Sequence, residues 1–252
     1  MKMLGKAALF AGTMLLISML SLQSANAARA GGGLSRSSIG GDSSLGIGFS
    51  VVTAGQNDLN SAIDAAHYSA GADTKNLGSA YEFYANWIYR FASSPYAFVL
   101  RPSYFTQSST GSGTGGSFDY KLNGFTVFPI VRMYPLENSF IHFYMQAGVG
   151  YGTLNGEITA ASDSLKFKGS AFGAMGGIGV DFCFTDAHCL TIEGNVRYLP
   201  IERNISDGGN CTNGSIPGVS QCGGNSEVEL SGTDLRTTMS GVQGLIGYTM
   251  NF

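Results

Sequence analysis

Residues 81–91 carry an apolar side chain at every second position. Tyr81, Phe83, Ala85, Trp87, Tyr89 and Phe91 alternate with Glu82, Tyr84, Asn86, Ile88 and Arg90. Because a β-strand points successive side chains to opposite faces, this period predicts a strand with one apolar face and one mixed face. These eleven residues are about enough for a tilted strand to cross a bilayer. The segment therefore predicts a membrane-crossing β-strand.

The same period recurs along the chain and predicts eight strands. They lie near residues 45–54, 80–92, 96–108, 118–134, 140–152, 168–184, 189–200 and 234–252. The second, fourth and sixth connections are tight turns around residues 93–95, 135–138 and 185–188. The other four are longer loops near residues 55–79, 109–117, 153–167 and 201–233. Alternating short turns and long loops are typical of outer-membrane barrels, whose short turns face the periplasm.

Aromatic residues cluster beside the tight turns. They are Phe91 and Tyr96, Tyr134 and Phe140, Phe182 and Phe184, and the terminal Phe252. Aromatic rings favour membrane–water interfaces, whereas a soluble β-sandwich, the alternative, needs no ring at each turn. An open sheet would leave unpaired backbone groups in hydrocarbon, so the strands must close. We expect an all-β protein: an eight-stranded antiparallel up-and-down transmembrane β-barrel with short periplasmic turns and long extracellular loops, its narrow interior filled by side chains.

Residues 1–27 have the pattern of a secretory signal peptide. Lys2 and Lys6 precede an apolar run from Ala7 to Leu22, and the segment ends in an A-x-A site at Ala27. A membrane-anchor helix is the alternative, but the run is short for a span and no basic stop-transfer follows it. We expect a flexible periplasmic segment over residues 28–44 and a barrel over residues 45–252, in the outer membrane of a Gram-negative-type bacterium.

Charge argues against a nucleic-acid partner. After residue 27 the chain has 12 basic and 17 acidic residues, a net charge of −5. Nucleic-acid-binding proteins usually carry a basic footprint instead. In the first loop, Leu59, Ile63 and Ala66 have helical spacing and predict a short helix.

Three segments resemble the small outer-membrane β-barrel family that includes the OmpA membrane domain, the OmpX/Ail group and opacity-type proteins. They are Phe143–Gly152, Ala174–Asp181 and Glu193–Tyr198. The C-terminus carries the most specific similarity, because Ile246, Tyr248, Met250 and Phe252 alternate back from a terminal aromatic carboxylate. This pattern is similar to the signal that the outer-membrane assembly machinery reads on the last strand.

The resemblance implies a location more strongly than an activity. Family members serve as anchors, adhesins, complement-resistance factors or minor pores. We expect a structural or surface-interaction protein, adhesin-like, acting through its extracellular loops; the alternative is a small pore or a channel for a hydrophobic solute. The expected partners are outer-membrane lipids and lipopolysaccharide, the assembly machinery, and a ligand on a host or neighbouring cell.

The four cysteines predict two local disulfides. Cys183 and Cys189 flank the third tight turn with inward parity, and Cys211 and Cys222 lie in the last loop. Export permits disulfides, with free thiols as the alternative. Metal binding is not expected, because there is no Cys-x-x-Cys and no nearby pair of histidines.

A catalytic centre and a cofactor are likewise not expected. A membrane-embedded enzyme needs a base beside a nucleophile or water at the outer rim, and only His67, in the first loop, is placed to supply one.

Charged residues at inward-facing positions predict a plug. Counted from the tight turns, Arg90, Arg101, Asp181 and Glu193 fall in one layer near the periplasmic end, and Arg197 lies one pleat higher. Because unpaired buried charges are costly, we expect this layer to be neutral and mutually paired. Arg132 shares parity with Phe128 and Ile130, which we expect to face lipid, so a bulge would be needed for Arg132 to join the plug.

Overall fold

The computed structural model describes residues 42–252, so the predicted signal peptide and most of segment 28–44 lie outside the described residues. Eight long strands form the body: β1 Asp42–Val52, β2 Ala80–Arg90, β3 Tyr96–Gly113, β4 Gly116–Glu137, β5 Ile141–Ala160, β6 Asp163–Thr185, β7 His188–Tyr198 and β14 Gly241–Asn251. The predicted helix in the first loop is present as α1, Asn57–Ala70. Six short strands lie between β7 and β14: β8 Pro200–Ile201, β9 Ile205–Gly209, β10 Val219–Gln221, β11 Glu229–Leu230, β12 Thr233–Asp234 and β13 Thr237–Thr238.

The eight long strands close into a ring. Each of β1 to β6 pairs antiparallel with the next strand in the chain, and β14 pairs with both β7 and β1. Phe49 on β1 lies opposite Ile246 on β14, so the first and last long strands complete the wall. The predicted eight-stranded antiparallel barrel is confirmed. The described α-helix is neither long nor apolar enough to cross a membrane.

Outward-facing side chains change from apolar to polar at a sharp limit. On β4, Phe125 is followed outward by Asn123 and Lys121, and on β6, Phe172 is followed by Ser170. Tyr104 on β3 and Tyr151 on β5 occupy the same limit. Between this limit and the short turns, the exposed side chains form an apolar belt. An exposed apolar belt bordered by aromatic residues is typical of membrane-spanning β-barrels.

Strands β3 to β6 continue beyond the apolar belt, which corrects the predicted loops at 109–117 and 153–167. The β3–β4 ladder runs to Gly113 opposite Gly116, and the β5–β6 ladder to Ala160 opposite Asp163. Gly, Ser and Thr predict loops here, but the extensions of β4, β5 and β6 carry buried apolar side chains on their inward face, as at Leu122, Leu154 and Leu165. The nine residues of β4 before Phe125 project roughly 20 Å at the usual strand rise and tilt.

The first and last long connections pack on these extensions. We call residues 53–79 and 199–240 the cap, and the end of the barrel that carries it the loop end; the opposite end is the turn end. α1 buries Leu59, Ile63 and Ala66 against the barrel extension and ends at Gly71, whose left-handed φ of 62° suits glycine. The cap and the extensions share one hydrophobic core. Burial of apolar area outside the membrane belt therefore fixes the loop end.

Glycine at position 179 makes room for an inward-facing aromatic ring, which yields a stability prediction. A Cβ on Gly179 would overlap the ring of Tyr144, whereas a Cβ on outward-facing Gly194 would meet open space. We expect Gly179→Ala to lower the free energy of unfolding by about 1–3 kcal/mol through overpacking. Urea unfolding in lipid vesicles measures the difference. Equal stability of Gly179→Ala and the matched control Gly194→Ala would contradict this packing.

Candidate functional site

The centre of the barrel is occupied by the carboxylate of Glu193. This side chain lies on β7, faces inward and is fully buried. Its oxygens accept hydrogen bonds from five groups: Arg101 Nη2 at 2.8 Å, Arg132 Nη2 at 2.9 Å, Tyr144 Oη at 2.6 Å, Gln146 Nε2 at 2.9 Å and Asn195 Nδ2 at 3.1 Å. We call these six residues the Glu193 cluster. Its donors come from three strands besides β7, so it ties opposite walls of the barrel together.

The two arginines of the Glu193 cluster have further partners. Arg132 Nε lies 3.2 Å from Gln146 Oε1, and its guanidinium stacks 3.8 Å from the centre of the Tyr144 ring. Arg101 Nε donates to Asn86 Oδ1 at 2.7 Å. Hydrogen bonds from several neutral groups hold the geometry of this buried ion pair. They are needed because the attraction between two buried charges does not by itself offset the free energy of removing both from water.

A second ion pair lies nearer the cap. Arg197 Nη1 donates to the Glu82 carboxylate at 2.8 Å, and Gln243 Nε2 donates to the same carboxylate at 2.9 Å. Ser103 Oγ also donates to Glu82. Arg197 Nε binds the backbone oxygen of Met239 in the cap at 2.7 Å. This Glu82 pair therefore connects the barrel interior with the last connection.

The structure distributes the expected plug residues over several levels. Arg101 and Glu193 contact each other, whereas Arg197 pairs with Glu82 instead. Asp181 accepts a hydrogen bond from Thr191 Oγ1 at 2.6 Å. The expectation that four residues form one layer was wrong, because neighbouring strands of a barrel are staggered and equal counts from the turns do not give equal heights.

Two residues correct the expectation further. Arg90 lies at the turn end, where both Nη atoms bind the Glu137 carboxylate at 2.6 Å, away from the Glu193 cluster. Arg132 faces inward without a bulge, because Phe128 and Ile130 also face inward and are buried. Both faces of β4 are apolar in this stretch, so alternation alone could not tell them apart. The lone arginine was the usable signal, since a charge within a membrane strand favours the interior.

Sequence counting also missed Glu82, Tyr144 and Gln146. Glu82 has inward parity between Tyr81 and Phe83, and that parity was the available signal. The buried charged side chains of the described residues are three arginines (101, 132 and 197) and three carboxylates (82, 181 and 193). These balanced charges, of which the three arginines are ion-paired, fill the barrel interior together with buried Phe128 and Ile130.

Both predicted cysteine pairs form disulfides in the structure. Cys183 and Cys189 lie opposite each other on β6 and β7 and face inward at the turn end. Cys211 and Cys222 join two parts of the cap. His142 Nδ1 lies 3.6 Å from Cys183 Sγ. No metal ligand set was expected from the spacing of the cysteines, because this histidine comes from β5.

The expected assembly residues lie on the last strand. Ile246, Tyr248 and Met250 face outward on β14, and Phe252 follows the strand with 57% of its surface exposed. Tyr248 Oη lies 2.5 Å from His188 Nδ1. A role of these residues in assembly stays a prediction.

The loop end carries a polar groove with a cavity volume of about 810 Å³. Asp73, Lys75 and Asn76 from the cap line one side, and residues 108–112 with Ser117 and Asp119 line the other. Asp73 Oδ1 accepts a 2.5 Å bond from the Ser112 amide, and Ser109 Oγ donates to the Lys75 backbone oxygen at 2.5 Å. These bonds fix the two sides of the groove relative to each other. Its lining offers carboxylate, ammonium, amide and hydroxyl groups.

Comparison with known proteins identifies the fold. No protein-family profile and no curated protein matches the sequence. The outer membrane protein OprG from Pseudomonas aeruginosa has a similar structure, with a TM-score of 0.55 over 84% of this chain and 96% of that one, at 14% sequence identity. The Ail attachment invasion locus protein of Yersinia pestis, in complex with the heparin analogue sucrose octasulfate, aligns over 85% of this chain and 100% of that one, with a TM-score of 0.42 and 13% identity.

These findings define the class of protein. The closed ring of eight antiparallel strands, the exposed apolar belt and the likeness to OprG define the fold as the eight-stranded barrel seen in small outer-membrane proteins.

Removal of the Glu193 carboxylate tests the interior cluster. Glu193→Ala would leave Arg101 and Arg132 without their shared counter-ion in a buried site. We expect a loss of roughly 3–5 kcal/mol in the free energy of unfolding, measured by urea titration in vesicles. Glu157→Ala is the control, because Glu157 and Lys166 form an exposed pair 3.6 Å apart, and its loss is expected to stay below about 1 kcal/mol. A Glu193→Ala chain as stable as the wild type would refute the cluster's role.

Proposed function

We propose that this chain is a surface-interaction protein of the outer membrane, anchored by its barrel and acting through its cap. The turn end then faces the periplasm and the loop end faces the outside, as in other bacterial barrels with short periplasmic turns. The location of OprG in the outer membrane supports this placement. We propose further that export removes residues 1–27 and that the outward face of β14, with Phe252, docks on the assembly machinery.

One observation carries the proposal: the inside of the barrel is filled while the loop end is built up. The Glu193 cluster and the Glu82 pair join opposite walls through buried bonds. Four strands continue past the apolar belt, and the cap packs on them through a hydrophobic core. A filled barrel interior blocks the path that a channel requires. A rigid structure outside the membrane instead provides the fixed surface that a binding protein needs.

The alternative is a small pore or a channel for a hydrophobic solute. Apolar side chains do line the inside of the strand extensions, as Phe105 and Leu122 show. They are fully buried against the cap, however, and so belong to a packed core. For this reason we favour the surface-interaction function.

Charge at the loop end limits the partner. Residues 53–79, 108–121, 153–169 and 199–240 together carry eleven acidic and six basic side chains, a net charge of −5. Such a surface repels polyanions and favours neutral or cationic groups on a host or neighbouring cell. The polar groove between the cap and β3 is the concave part of this surface, and its hydroxyl, amide and carboxylate groups suit a polyhydroxylated ligand such as a neutral saccharide.

Blocking the groove tests the proposal. Thr110 lines the groove and is exposed, so Thr110→Trp fills it without disturbing a buried contact. Bacteria displaying the chain are incubated with an array of immobilised neutral and sulfated saccharides. We expect the wild type to bind neutral sugars, and Thr110→Trp to reduce binding at least tenfold.

Thr153→Trp is the matched control, because Thr153 faces outward on β5 away from the groove. We expect this variant to bind as the wild type does. Binding that is unaffected by Thr110→Trp, or a wild type that prefers sulfated sugars, would contradict the proposed surface.

A further inference from the structure

Three groups that bind soft metal ions meet at the turn end of the barrel. The ligand atoms of His142, Cys183 and Cys189 all lie within 4.8 Å of one another. The histidine comes from β5 and the cysteines from β6 and β7, so three adjacent strands supply one ligand each. In the described structure the two sulfurs are joined as a disulfide. We propose that reduction of this disulfide converts the three groups into a binding site for one Zn²⁺ ion.

The spacing of the groups fits tetrahedral zinc. Zinc lies about 2.3 Å from thiolate sulfur and about 2.0–2.1 Å from histidine nitrogen, which puts the two ligand atoms about 3.6 Å apart at a tetrahedral angle. Cys183 Sγ and His142 Nδ1 are 3.6 Å apart. Cys183 and Cys189 are directly paired across the ladder, so their sulfurs stay close after the bond between them is broken. Three protein ligands leave the fourth zinc position open to water.

The second nitrogen of the histidine is also placed as in zinc sites. His142 Nε2 lies 3.5 Å from Glu137 Oε1. A carboxylate at that nitrogen orients a metal-bound imidazole and fixes its tautomer, with the remaining nitrogen directed at the metal. Arg90 holds the Glu137 carboxylate through two bonds of 2.6 Å. Arg90 thus belongs to the surroundings of this site and not to the interior plug.

A hydrogen bond to sulfur completes the arrangement. Asn251 Nδ2 donates to Cys189 Sγ at 3.5 Å, and such a bond favours the thiolate form that a metal needs. Cys183 and Cys189 are both buried, which shields a bound ion from competing ligands. A disulfide by itself requires neither Asn251 nor His142 beside its sulfur atoms.

The conversion is a thiol–disulfide exchange followed by metal binding. A dithiol reductant attacks the Cys183–Cys189 bond, transfers two electrons and two protons, and leaves as its own disulfide. Zn²⁺ then displaces the two thiol protons into solvent and takes His142 Nδ1 as its third ligand. The disulfide and the zinc site are therefore mutually exclusive states of the same side chains.

A chain that lacks the cap cysteines isolates the site. The double variant Cys211→Ser/Cys222→Ser, otherwise full-length, is folded from denaturant into detergent micelles with or without a phosphine reductant. After anaerobic removal of the reductant, Co²⁺ is added as a spectroscopic probe and Zn²⁺ as the competitor. We expect the reduced chain to bind one equivalent of Co²⁺, with sulfur-to-cobalt charge-transfer absorption and the intense visible bands of a tetrahedral ion, and Zn²⁺ to displace it. The oxidised chain should give neither signal.

Histidine variants distinguish this site from general thiol binding. In the same background, His142→Ala should weaken Co²⁺ binding at least tenfold, and Glu137→Gln by roughly tenfold through loss of the orienting carboxylate. His188→Ala is the matched control, because the ring of His188, the first residue of β7, lies against Tyr248, and it should leave the affinity unchanged. Folding is checked by heat-modifiable gel mobility. A reduced chain without tetrahedral cobalt bands, an unchanged affinity in His142→Ala, or failure of the reduced chain to fold would each overturn the proposal.

Discussion

Compensation of buried charge inside a narrow membrane barrel is the constraint on which the rest of this structure depends. Arg101 and Arg132 cannot face lipid and have little water to face inside, so both converge on Glu193. A single carboxylate with five donors then joins several strands across the bore. Room for a large inward ring comes from glycine on the neighbouring strand, as at Gly179 opposite Tyr144. Closure of the wall and filling of its interior are therefore coupled.

The loop end depends on a different force. Beyond Phe125 and Phe172 the outward side chains are polar, and strands β3 to β6 no longer have lipid on their outer face. They remain ordered because the cap buries their inward side chains, and because Arg197 connects the cap backbone to Glu82. Along the same strands, the main stabilising interaction therefore changes: buried ion pairs act within the membrane belt, and hydrophobic burial acts in the extensions that lie in water. The result is a rigid outer surface above a filled barrel, which is the basis of the proposed function.

The strand count, the closure, the short turns and the cysteine pairs could be predicted from the sequence, since each depends on local alternation or on residues adjacent to a turn. The heights of individual side chains along the barrel axis could not be predicted from the sequence. Arg90 and Glu193 were expected at one level, but stagger between strands separates them. Residues 109–117 were expected to form a loop, because their glycines and serines do not show that distant Leu59 and Ile63 cover the neighbouring strands. The proximity of His142 to Cys183 likewise follows from strand register, which no spacing along the chain reveals.

Ion conductance tests the account's central claim most directly. If the Glu193 cluster and the Glu82 pair close the bore, the purified wild-type chain in a planar lipid bilayer should show no resolved current steps above the bare-membrane baseline. Heat-modifiable gel mobility of the same preparation establishes that folded barrels were added. Steady, reproducible current steps from the folded wild type would contradict a filled interior, and with it the interpretation of the barrel as an anchor for the cap.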